Sequence, residues 1–108
     1  MKFSQYAYIF LGAGMDEKKH RTAMKSDQTT CVVVGLDPAN KDHVVSLAKE
    51  LVAEGAQMIE LCGGFGPLWV AKIIEALKGA VPVGGVFYGP EARKQLVDLG
   101  LGQPAKFE

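Results

Sequence analysis

Apolar side chains fall along this chain in short blocks, some continuous and some spaced at helical intervals. Tyr6-Ala-Tyr-Ile-Phe-Leu11 is an unbroken apolar run that stops at Gly12, as a strand buried on both faces of a sheet does. Thr29-Thr-Cys-Val-Val-Val34 is rich in β-branched residues and closes on Gly35, which predicts a second strand. Gln57–Cys62 predicts a third and Val81–Tyr88 a fourth. Between them, Val44, Leu47, Ala48, Leu51 and Val52 recur on one helical stripe, with Asn40 as the expected cap and Gly55 as the stop. Pro67 opens a further helix whose stripe is Val70, Ile73, Ile74 and Leu77, and Gly79 ends it. Met15–Ser26 favours helix by residue type, capped by Asp16, although Ala23, Met24 and His20 give it only a thin apolar face. Glu91–Leu99 predicts a last amphipathic helix, and Gly100–Glu108 a tail.

The alternation of strand and helix predicts a single α/β domain over residues 1–108. Its expected form is a small, mostly parallel four-stranded sheet with helices on both faces, flavodoxin-like, in the strand order 2-1-3-4. In such a sheet the ligand crevice lies beyond the carboxyl ends of the first and third strands. Both glycine-rich loops, Gly12-Ala13-Gly14 and Gly63-Gly64-Phe65-Gly66-Pro67, belong at that crevice.

Composition narrows the choices. With 48% hydrophobic and 22% charged residues in 108, one ordinary globular core is expected. Twelve basic and twelve acidic side chains cancel, which removes the positive field that nucleic-acid binding draws on. Cys31 and Cys62 are too few for a disulfide framework and read as thiols. Tyr6–Leu11 is too short for a signal core or a membrane span, so a cytoplasmic protein without a membrane partner is expected. Two histidines and two cysteines lack ligand spacing, so no metal and no other cofactor is expected.

The specific phosphate motifs are missing: Glu17 stands where a dinucleotide fingerprint needs its last glycine, and no P-loop occurs. What remains is a pair of helix-opening glycine loops suited to a phosphate or carboxylate, with Gly12, Gly14, Gly63, Gly64, Phe65 and Gly66 as contacts. Glu60 interrupts an apolar strand and is the candidate acid, base or acceptor. Cys62 beside the loop is a candidate nucleophile, with His20 as its base, and Tyr88 closes the fourth strand at the same mouth. The basic run Lys18, Lys19, Arg21 and Lys25 reads as a solvated face. Trp69 lies off its helix's stripe and is expected to be partly exposed or to meet a second copy in a homodimer.

Ile59-Glu-Leu-Cys-Gly-Gly-Phe-Gly-Pro67 resembles the signature of a family of small, uncharacterised microbial proteins carrying a domain of unknown function. The resemblance extends over nearly the whole chain, through Gly12–His20, Leu47–Gly55 and Val81-Pro-Val-Gly84 to Tyr88-Gly89-Pro90, and it implies no activity. A looser likeness to cobalamin-binding domains fails at their D-x-H-x-x-G motif, because Asp16 is followed by Glu17, Lys18 and Lys19 before His20. The leading expectation is a protein that binds an anionic metabolite between the two glycine loops. An enzyme using Glu60 as general acid or base, and a structural or regulatory homo-oligomeric subunit without a ligand, are the alternatives.

Overall fold

The apolar blocks line up as one sheet in the computed structural model of the protein, which describes residues 2–101. β1 (Gln5–Leu11) lies at its centre, parallel to β3 (Thr30–Leu36) on one side and to β4 (Ile59–Leu61) on the other. β5 (Val83–Gly85) continues in parallel beyond β4, and β2 (Arg21–Lys25) forms the opposite edge, antiparallel to β3. Across the sheet the order is β2-β3-β1-β4-β5. Three helices follow β3, β4 and β5 in turn: α1 (Val44–Ala53), α2 (Pro67–Ala76) and α3 (Arg93–Asp98).

The core sits between the sheet and two of these helices. α1 buries Val44, Leu47, Ala48 and Leu51, the stripe its spacing predicts, in one cluster with Ala7 and Ile9 of β1. α2 adds Ile73, flanked by half-buried Trp69, Val70 and Leu77, while Ile74 is 41% exposed. The helix is therefore turned so that Trp69 takes the inward place expected of Ile74. α1 and α2 pack against each other, which puts both on the same face of the sheet. Gly55 ends α1 at φ +114°, a conformation L side chains rarely adopt. The start of β1 is clipped by Gln57, whose Oε1 accepts from the amides of Ser4 and Gln5 at 2.7 and 2.9 Å.

Four expectations are corrected. Met15–Ser26 is not a helix: after a loop it runs as β2, and Ser26 turns the chain by capping the amides of Gln28 and Thr29. Its thin apolar stripe gives a helix little to bury, and the unpaired edge of β3 offers a full hydrogen-bond ladder instead. The sheet is consequently mixed and five-stranded. Among the described residues α1 and α2 cover one face only, and β1 is buried on that side: Ala7 and Ile9 are fully buried, whereas Tyr6, Tyr8 and Phe10 are half-exposed. Finally, Asn40 caps nothing at the start of α1; Asp37 caps the Pro38–His43 3-10 turn that leads into it, accepting from the amide of Ala39 at 2.8 Å.

The third and fourth strands are also shorter than their apolar runs, and the expected tail lies outside the described residues from position 102 onward. Among the described residues no helix is long and apolar enough to cross a membrane.

The asymmetry of the sheet has a measurable consequence in stability. Leu51→Ala, at a side chain 1% exposed, should cost about 2–5 kcal/mol in urea denaturation. Met24→Ala, on β2 with 74% exposure, should change the stability of the monomer by less than about 0.5 kcal/mol. Equal costs would contradict the one-sided core.

Candidate functional site

The two glycine loops stand at the carboxyl ends of β1 and β4, as the sequence suggests, but they are occupied very differently. In the loop after β1, the amide of Gly12 donates to the carbonyl of Leu36 at 3.0 Å, and that of Gly14 donates to Asp37 Oδ2 at 2.8 Å. Asp37 thus places a carboxylate of the protein itself on this loop, held also by Ala39. These amide bonds hold its carboxyl below the ordinary range.

The loop after β4 has no such internal anion. Among the described residues, the amides of Gly63, Gly64 and Gly66 take no backbone or side-chain partner. Gly66 sits at φ +79° before Pro67, the first residue of α2, so a glycine is required to turn the chain into the helix. Lys41 Nζ donates to the carbonyl oxygen of Gly64 at 3.1 Å and brings a positive charge to the loop. The same 3-10 turn is therefore tied to one glycine loop by Asp37 and to the other by Lys41. Phe65, expected as a ligand contact, is instead a core residue at 4% exposure.

The remaining candidates lie on the sheet face that α1 and α2 leave bare. Glu60 pairs with Tyr8 across β1 and β4 and is exposed, so the burial on which an acid or base role would rest is missing. Strand alternation explains this: Ile59 and Leu61 point into the core, and Glu60 points out through the open face. Cys62 follows on that face, and its sulfur accepts the amide of Leu11 at 3.2 Å. Tyr88 lies across Gly63, so close that a Cβ on that glycine would stand 2.6 Å from its ring. Burial first, and then the neighbouring Cys62, Tyr88 and Glu60, push the Tyr8 hydroxyl above its usual pKa. A hydrogen bond with Cys31 does the same for Tyr6.

His20 does not join this group. It precedes β2, with β3 and β1 between it and the strand of Cys62, and its Nδ1 accepts from the amide of Asp16 at 2.8 Å. It cannot serve Cys62 as a base. It borders instead a groove of about 360 Å3 lined by Phe10, Met15 and Val33, with Lys19, Arg21 and Thr22 beside it. Both cysteines are free thiols. Trp69 is half-buried with Lys72 Nζ 4.1 Å over its ring, so it offers no bare aromatic surface. Sequence reasoning missed Asp37, Lys41 and Gln57; only Asp37, a short acidic residue just before a proline, carried a capping signal.

A family described as a family of unknown function (DUF6506) matches residues 4–100. The chain belongs to this family. The match runs from the start of β1 past α3 and so spans both glycine loops of this chain and the strands that carry them. No curated protein and no solved structure matches the chain.

The role of Asp37 can be read from pH. Because its folded pKa is depressed, its contribution is complete above the ordinary value of 3.8 and is lost as the pH falls through the lower folded value. Asp37→Ala should lower Tm by a few degrees at neutral pH, and the deficit should shrink below that value. A deficit that is constant with pH would show that the carboxylate charge is not what holds the two loops.

Proposed function

We infer that the protein binds a small anion, the phosphate or carboxylate group of a metabolite, on the backbone of Gly63–Gly66. One observation carries this reading: the loop after β1 already holds a carboxylate in Asp37, whereas the matching loop after β4 has free amides and no internal anion. The adjacent free N–H groups of Gly63 and Gly64, with that of Gly66, form the anion cradle, the amide of Phe65 between them being held by the carbonyl of Cys62 at 3.2 Å, and the α2 dipole adds partial positive charge. Lys41 supplies a full charge beside it. The space a side chain would take is open at Gly66, whereas Tyr88 packs over Gly63 and Leu11 over Gly64, so the ligand reaches their amides from the side away from those side chains.

This site uses half of the crevice that a flavodoxin-like fold provides. The parallel strands β3-β1-β4-β5 support that kinship, and the hairpin strand β2 in place of the first helix sets the protein apart from it. Gly12, Gly14 and His20 lie outside the proposed contacts, and Tyr88 borders them only through Gly63.

Titration with inorganic phosphate, followed by amide NMR, tests the reading. The largest shifts are expected at Gly63, Gly64, Gly66 and Leu68. Gly64→Val should weaken binding at least about tenfold, the loss of roughly one charge-assisted hydrogen bond. Its Cβ lies 3.0 Å from the side-chain end of Leu11, which must give by a few tenths of an ångström, and circular dichroism should show the fold intact. Lys41→Met should weaken binding less, because an exposed charge is screened. Shifts centred on Lys18–Lys25 instead, or an unchanged affinity in Gly64→Val, would overturn the proposal.

A further inference from the structure

The bare sheet face is the largest feature that a site at Gly63–Gly66 leaves unexplained. Along β1 it presents Tyr6, Tyr8 and Phe10, beside Cys31 and Val33 of β3 and Met24 of β2, which is 74% exposed. Among the described residues α1 and α2 lie on the other face, and α3 buries none of its side chains. The 25 residues of the five strands, each spanning about 4.8 Å by 3.3 Å, give a footprint of roughly 400 Å2, more in accessible surface. With Tyr88 and the groove rim added, the face falls at the small end of specific interfaces, below the standard of about 800 Å2 per partner, as suits a dimer of micromolar strength.

The face carries both a knob and a hole. On one side of β1, Tyr88 lies over Gly63 with 60% of its surface exposed, and both it and Glu60 neighbour Tyr8. On the other side, between β1, β3 and β2, lies the groove lined by Phe10, Met15 and Val33, with Lys19, His20 and Arg21 beside them. His20 accepts at Nδ1, so a neutral ring carries its hydrogen on Nε2 and has a donor to spare.

We propose that two copies of this chain stack face to face across the open sheet, with Tyr88 of each filling the groove of the other. Stacked sheets keep their strands nearly aligned, and two identical surfaces meet about a two-fold axis lying between them. With the axis across the strands, β4 lies over β4, and Glu60, level with Tyr8 at mid-strand, confronts its own copy. Two like charges withdrawn from water together are costly. With the axis along the strands, β1 lies over β1, while β4 and β5 of one copy lie over β3 and β2 of the other. That arrangement brings each Tyr88 over a groove and each Glu60 toward Lys19 and His20, two contacts made twice by symmetry.

Sedimentation equilibrium on the full chain tests the proposal, with circular dichroism confirming that each variant is folded. The chain should be a dimer in the micromolar range. Tyr88→Ala, at an exposed position that cannot unfold the monomer, should raise the dimer dissociation constant at least about thirtyfold, as a buried aromatic anchor does. Glu60→Lys should weaken the dimer, and adding Lys19→Glu should restore most of the loss. A monomer at all concentrations would overturn the proposal, as would a dimer indifferent to Tyr88→Ala. A dimer tightened by Glu60→Lys would overturn the choice of axis.

Discussion

Between Leu11 and Thr30 the chain forms an antiparallel edge strand where an α/β fold of this kind commonly places a helix, and the rest of the molecule follows from that exchange. A helix there would lie on the face opposite α1 and α2. Without it, Tyr6, Tyr8 and Phe10 of β1, Val33 of β3 and Glu60 of β4 are left half-exposed or exposed, while Ala7, Ile9, Val34, Ile59 and Leu61 beside them are fully buried. The strand ladder is satisfied on both sides of β1 either way; only the side chains register the difference. The core is therefore thin and one-sided, with Ile9, Val34, Leu51 and Ile73 among its fully buried members.

The same constraint sorts the polar candidates. Glu60 sits in a strand of apolar neighbours without needing a buried partner, because its face is open. Asp37 does the opposite work: it leaves the end of β3 and ties the amide of Gly14 to the start of the 3-10 turn. Lys41, four residues on, reaches the carbonyl of Gly64. One short turn thus fixes two glycine loops relative to each other, and leaves one of them satisfied and the other with amides to spare.

Much of this was legible in the residues. The stripe Val44, Leu47, Ala48 and Leu51 specified α1 because helix periodicity is a strong local signal, and Gly55 marked its end. The strands at Tyr6–Leu11 and Thr29–Val34 were plain from their apolar and β-branched content. The β2 segment was not, because Arg21-Thr-Ala-Met-Lys25 is exposed throughout and owes its conformation to pairing with β3 rather than to its own pattern. Apolar continuity in Tyr6–Leu11 likewise suggested burial on both faces, and composition cannot distinguish a helix-covered face from one left bare. At the glycine loops the sequence identified the residues, but which amides are already used depends on Asp37, a tertiary contact 23 positions from Gly14.

The two neighbouring valines of β3 give the most direct test of a sheet covered on one side. Val34 is fully buried, and Val33 faces the open side. A soluble gadolinium chelate should strongly relax the Val33 methyl resonances and spare those of Val34 when the chain is dilute enough to be monomeric. If both valines are equally protected under those conditions, a further element covers the second face and the account is wrong.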